Sequence, residues 1–309
     1  MDPVRFCSQS RLVIVAGKGG VGKTTVTAAL AVMAARAGLR TLIVEVEGKT
    51  GLGSAFGQGE LSYEEVELAE RVRARTITSD QALLEYLEDH GMRRLSKRLT
   101  NTGFLDVVAT AAPGIKDILV LGKVKQLERA GDADLIVLDA PAAGHAVTFL
   151  QSARGLLDAV RVGPVRSQAE DVQELLSDPD RCQVLLVTLP EETPVNEAAE
   201  TAARLRERVG VHLGPVVVNG LYPPLRGLES AAELVAHVPP DEAEPLRAAA
   251  AFRRSRHELQ QEQLGRLADA LDLPQLHLPF LFSPELGPAD VSALADALAD
   301  AVGALELAV

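Results

Sequence analysis

RLVIVAGKGGVGKTTVTAALAVMAARAG, residues 11–38, decides how the rest of the chain is read. Arg11 to Ala16 is a short apolar, β-branched run of the kind that fills a buried parallel strand. GKGGVGKTT, from Gly17 to Thr25, follows at once. The remainder consists of good helix formers that stop at Gly38. Strand, glycine-rich turn and helix are the setting that a phosphate-binding loop requires. Glycines let the backbone curl so that successive N–H groups converge on one anion, and the helix behind adds its positive end. The candidate nucleotide loop is Gly17, Lys18, Gly19, Gly20, Val21, Gly22, Lys23, Thr24 and Thr25. Lys23 is placed to bridge β- and γ-phosphates, and the Thr24 hydroxyl to meet Mg²⁺. The bland alternative is a glycine-rich turn that holds no ligand.

Composition narrows the remaining classes. With 309 residues, 47% of them hydrophobic, the chain can bury one large core or two modest ones. A net charge of −12 argues against a nucleic-acid grip driven by bulk charge. No apolar run reaches the roughly 18–20 residues that span a bilayer. The start lacks a charged head, long apolar stretch and small-residue cleavage site, so no secretory leader is expected. Cys7 and Cys182 stand far apart, which excludes a disulfide framework and a CxxC metal site. A reducing, cytoplasmic compartment fits that usage.

Working outward, TLIVEV from Thr41 to Val46 predicts a second strand, and DLIVLDAP from Asp134 a strand ending in an aspartate. CQVLLVTLP from Cys182, PVVVNGL from Pro215 and LHLPF from Leu276 predict further strands. Helical patterns lie between them, at about 144–160, 191–210 and 288–307. The alternation predicts an α/β fold with a doubly wound, mainly parallel sheet. The blocks 60–130 and 223–270 are too long for ordinary crossovers. They predict helical subdomain insertions above the strands' C-terminal edge of a single phosphate-loop domain spanning 1–309, with a break at PPDEAEP, 239–245.

Lys18 adds a second lysine directly after the first glycine of the loop. This marks a "deviant" Walker A loop and resembles MinD, ParA, nitrogenase iron protein and the arsenite-pump ATPase ArsA. The resemblance implies a dimer, with Lys18 reaching the partner's nucleotide. Otherwise Lys18 is a solvated loop cation.

The strand ending in Asp139 runs on as DAPAAGH to His145. A carboxylate there can hold Mg²⁺ through water, and Gly144 lets a backbone amide approach the γ-phosphate. His145 is not assigned catalysis. The spacing of Asp139, Gly144 and His145 is similar to DTAPTGH of ArsA and of the tail-anchored-protein-targeting ATPases of the Get pathway, although Pro141 comes one place early. PGIKD, Pro113 to Asp117, resembles that family's PGIDE segment. The chain is identified as a member of the ArsA/Get-type ATPases. Its Arg- and Ala-rich, Lys-poor composition (24 Arg, seven Lys) points to an actinobacterial branch.

The family carries DPAHS after its second strand, where the aspartate positions the attacking water. EVEGKTGLGSAF stands here, and aligning LGSAF with the family's LSDAF puts Glu47 on that aspartate and Thr50 on the histidine. Glutamate can still orient water or serve a metal, one methylene further out. Since misplacement by about 1 Å costs on the order of a hundredfold, slow hydrolysis is one expectation and a non-hydrolysing partner subunit another. The family's VNQ asparagine, offered to adenine, corresponds to Asn219, and the base-pocket segment to Pro279 and Phe280.

Absences complete the reading. The arsenite-binding cysteines of ArsA and the bridging CxxC of the eukaryotic Get ATPase are missing. Three Met give no soft client groove, although a protein client held by other apolar residues remains open. The closing helix has acids and no Lys or Arg, unlike a basic membrane tail. The expectation is an ATP/ADP- and Mg²⁺-binding ATPase switch with Lys18, Lys23, Glu47 and Asp139 as its chemical residues, working as a homodimer or with a paralogous ATPase. A weak nucleotide-binding subunit and a MinD/ParA-like positioning ATPase are the alternatives.

Overall fold

The six predicted strands and two that were not predicted form one sheet, parallel throughout except for one antiparallel pair at its edge. The computed structural model describes residues 1–46, 51–89, 114–141, 143–228, 235 and 237–305. The strands are β1 Leu12–Gly17, β2 Thr41–Val46, β3 Val66–Ala69, β4 Val72–Ile77, β5 Leu135–Asp139, β6 Cys182–Thr188, β7 Val216–Leu221 and β8 Gln275–Pro279, and they stand in the order β3-β4-β2-β5-β1-β6-β7-β8, with β3 and β4 antiparallel. The described helices are α1 Pro3–Cys7, α2 Lys23–Arg36, α3 Gly51–Ala55, α4 Ser79–Asp89, α5 Ile115–Ala130, α6 Ala143–Ala159, α7 Pro164–Ser177, α8 Glu192–Arg204, α9 Pro240–Ala270 and α10 Pro288–Ala304. A π-turn, Leu205–Val209, extends α8 and stops at Gly210, whose φ of 79° suits only a residue without Cβ.

Strands β1, β5 and β6 are buried on both faces, which is why they read as continuous apolar runs. One face packs Val13, Val15 and Val137 against Val26, Leu30 and Met33 of α2 and Leu294 and Leu298 of α10. The opposite face packs Leu12, Ile14 and Leu138 against α5, α6 and α7. Each large aliphatic side chain buried this way contributes about 1.5–3 kcal/mol. Because β1 leads through α2 to β2 on one side of the sheet, while its neighbour β6 leads through α8 to β7 on the other, the loop after β1 opens at a topological switch point.

Three expectations change. The 60–130 block does not begin with a helix: Val66–Ala69 and Val72–Ile77 form an antiparallel hairpin that extends the sheet edge. Its turn holds Arg71 at φ 62° without a glycine, anchored by a bond from Arg71 Nη1 to the Gly38 carbonyl (2.9 Å). The last helix of that block, α5, lies on the sheet with Ile118, Leu121 and Val124 in the core, not above the strand ends. The PPDEAEP segment starts a helix instead of breaking one. Pro240 occupies the first turn, where a missing N–H costs nothing, Asp241 and Glu242 favour the positive end, and α9 continues through Pro245. Residues 90–113 of that block lie outside the described residues.

Candidate functional site

β1 delivers the glycine loop to the carboxyl edge of the sheet, between β5 and β6. Gly17 is required by crowding, because a Cβ there would sit 2.3 Å from the Val187 carbonyl oxygen of β6. Gly22 has a φ of 89°, and a Cβ on it would meet Asn219 Nδ2 at 2.3 Å. Gly20 is also left-handed, at φ 86°, but faces open space, and Gly19 beside it is exposed. Val21 is buried under the loop. Its carbonyl accepts a hydrogen bond from Asn219 Nδ2 at 3.0 Å, so the end of β7 props the loop from below.

Lys23 opens α2 with a buried side chain whose Nζ donates to the Lys18 carbonyl at 2.8 Å. That bond closes the loop on its own helix. One residue on, Thr24 Oγ1 donates to Asp139 Oδ2 at 2.7 Å. Asp139 ends β5 and is fully buried. The predicted magnesium partners, 115 residues apart in sequence, are therefore in contact. A hydroxyl and a carboxylate at a helix N-terminus form the hard-oxygen donor set that suits Mg²⁺ beside a phosphate. Thr25 follows on α2, half-buried.

Lys18 leaves the loop on the other side. Its Nζ pairs with Glu197 Oε1 of α8 at 2.7 Å, with both side chains about 40% exposed (40% and 38%). Sequence reading named Lys18 and gave no sign of Glu197, since nothing local marks one exposed helix acid among several.

The DAPAAGH segment leaves β5 at Ala140, whose N–H donates to the Val15 carbonyl at 3.1 Å. Gly144 lies in the first turn of α6, and His145 is exposed behind it. Burial pushes the Asp117 carboxyl up, and the nearby His145 pulls it back down. Asp117 therefore lies near the start of α6. Glu47 and Thr50 lie outside the described residues.

Asn219 lies in the second half of β7, and Pro279 ends β8 opposite Leu221. The Phe280 N–H donates to the Leu221 carbonyl at 2.7 Å. The Phe280 ring meets Tyr222 edge-on at 5.2 Å and Phe282 at 4.9 Å, and Arg253 of α9 covers Tyr222 at 4.5 Å. Tyr222, Phe282 and Arg253 were not singled out from sequence, because the three segments meet only once α9 folds back across β7.

A further residue escaped the sequence reading. Glu45 is buried on β2, directly opposite Asp139 in the β2–β5 register. An acid inside an apolar run is a visible signal, but the site it joins is not visible in sequence.

The profile of the family described as anion-transporting ATPases matches residues 10–166, just over half of the chain. ATPase BagA of Mycobacterium tuberculosis is 36% identical over 225 residues, 69% of this chain and 66% of that protein. An arsenical pump-driving ATPase of Escherichia coli is 30% identical over 216 residues, 67% of this chain and 34% of its own length. ATPase GET3C of Arabidopsis thaliana is 25% identical over 268 residues, 70% of this chain and 68% of that one. The chain thus spans a little under two thirds of its mycobacterial relative and about a third of the bacterial pump ATPase. The matched region holds the glycine loop, the Asp139 strand and the α6 turn, and on these grounds the chain belongs to the ArsA-type anion-transporting ATPase family.

Proposed function

We propose that the chain binds ATP with Mg²⁺ and hydrolyses it to ADP and phosphate, using the cycle to close and reopen a dimer. The contact between Thr24 and Asp139 at the foot of the glycine loop carries this reading. Thr24 and Asp139 would hold Mg²⁺, which supplies charge neutralisation between the β- and γ-phosphates. Amides of Gly19, Gly20 and Gly22 would cradle the phosphates, with Lys23 turning from the Lys18 carbonyl toward them. Glu47 would orient water in line with the γ-phosphate and accept its proton, and Gly144 would offer its amide to the transferred group. Asn219, Pro279 and Phe280 would bound the base. Lys18 would leave Glu197 for the partner's phosphates on dimer closure.

Glutamate in place of the family's aspartate favours slow turnover. A second reading, a nucleotide-binding half of a heterodimer with a paralogous ATPase, rests on that same replacement. No described helix is long and apolar enough to cross a membrane. The proposed setting is the cytoplasm.

Phosphate release from purified protein, compared with Lys23→Ala and Glu47→Gln, tests the proposal. Turnover lost in either variant supports it. Tight ATP binding without turnover, recovered only with a second chain, supports the heterodimer reading. No binding of ATP or ADP at millimolar concentration overturns both.

A further inference from the structure

We propose that Glu45 is a positioning carboxylate for the magnesium end of the site, holding the ion's water shell alongside Asp139. This inference rests on the nucleotide reading above.

Opposed residues of parallel strands project from the same face, with the strands about 4.8 Å apart. Glu45 and Asp139 are such a pair, and Asp139 is in turn opposite Val15 of β1. The face is the one covered by α2. Ile43, two residues before Glu45, packs with Ala28 and Ala31, and Val137, two before Asp139, packs with Val26 and Leu30. Both acids are nearly inaccessible, at 2% and 0% exposure. Each accepts a hydrogen bond from a threonine hydroxyl. Thr76 Oγ1 of β4 donates to Glu45 Oε2 at 3.1 Å, and Thr24 Oγ1 donates to Asp139 Oδ2 at 2.7 Å. The row Thr76, Glu45, Asp139 and Val15 thus crosses four strands at their carboxyl ends, directly beside the phosphate loop.

An acid at this point is costly to the fold. Burying one carboxylate is unfavourable, and a second beside it adds repulsion that only positive charge or a proton relieves. An aliphatic residue would suit a strand interior flanked by Ile43, Val44 and Val46. The register sets the pair at the N-terminal end of α2, next to the Thr24 hydroxyl read above as a magnesium partner. The Thr76 bond fixes one carboxylate oxygen of Glu45, as a partner outside the inner ligand set does for a metal site.

The test is titration of ADP affinity against Mg²⁺ for the wild type, Glu45→Gln, Glu45→Asp and Thr76→Val, with Mn²⁺ paramagnetic resonance of the ADP complex as a second readout. In the wild type, Mg²⁺ tightens ADP binding. Glu45→Gln raises the Mg²⁺ needed for half of that tightening by about tenfold, with metal-free ADP affinity unchanged and a broadened Mn²⁺ spectrum. Glu45→Asp recovers part of the loss, and Thr76→Val shows a smaller shift of the same sign. An unchanged Mg²⁺ requirement in Glu45→Gln overturns the inference, as does an equal loss with and without metal, which marks a structural role. If Glu45→Gln fails to fold, Thr76→Val decides by the same criterion. Failure of the wild type to bind MgADP overturns the nucleotide reading itself, whereas tight wild-type binding with indifferent variants overturns only the role of Glu45.

Discussion

Lys18 Nζ and Glu197 Oε1 stand 2.7 Å apart, an ion pair that ties the phosphate loop to α8 within one chain. Both side chains remain solvated, so the pair contributes under about 1 kcal/mol. Glu197→Gln should leave thermal stability nearly unchanged and strengthen ATP-dependent self-association up to about fivefold, because Lys18 is released. Lys18→Ala should retain ATP binding and lose association. Sedimentation velocity with a non-hydrolysable ATP analogue checks both. Weaker association in Glu197→Gln would show that Glu197 assists the closed state instead.

Gly17 and Gly22 predict different failures. A methyl at Gly17 meets the backbone oxygen of Val187, which cannot swing away, so Gly17→Ala should lower stability by about 1–3 kcal/mol in urea titration. A methyl at Gly22 meets the Asn219 side chain, which can rotate, but only by breaking its bond to Val21. Gly22→Ala should fold and lose more than about tenfold in ADP affinity, by calorimetry.

Asn219→Ala removes the donor to the Val21 carbonyl and costs about 1 kcal/mol of stability. If the amide also serves the base, the variant should lose preference for ATP over GTP in competition binding. Equal discrimination in both proteins would confine Asn219 to loop support.

Asp134 receives two bonds from the Arg40 side chain and one from its backbone, and these hold its carboxyl down to about 2. Its folded value lies below the unfolded one, near 3.9. The associated stability is fully present above about pH 4 and is lost as pH falls through about 2. The Asp134 side chain is 37% exposed, so solvent screening keeps the contribution below about 1 kcal/mol. Asp134→Asn should flatten the urea midpoint between those two pH values, lowering it slightly at neutrality and matching the wild type below about pH 2.

Both cysteines are buried, and desolvation pushes the Cys7 thiol up to about 12 and Cys182 higher still. Neither should react with a disulfide reagent at pH 8 until the chain is unfolded. Rapid labelling of the native protein would contradict this burial.

Chemistry carried by neighbours in sequence was legible. The apolar run before Gly17, the spacing of Lys23 and Thr24, and the acid closing a strand at Asp139 each express a local requirement of backbone or phosphate geometry. The hairpin at 66–77 was not legible. Its alternation is diluted by Glu67, Arg73 and Arg75, and Arg71 takes the turn without the usual glycine. The proline-rich start of α9 was misread because Pro240 opens a helix as readily as it ends one.

The amino-acid order by itself determined the α/β class, the glycine loop and the strand that bears Asp139, because periodicity and steric freedom act over a few residues. Tertiary structure alone decided that Glu197 meets Lys18, that Asn219 supports Val21, and that Glu45 lies beside Asp139. Those pairings depend on strand order and register, which arise from the packing of the whole sheet and leave no local mark in the sequence.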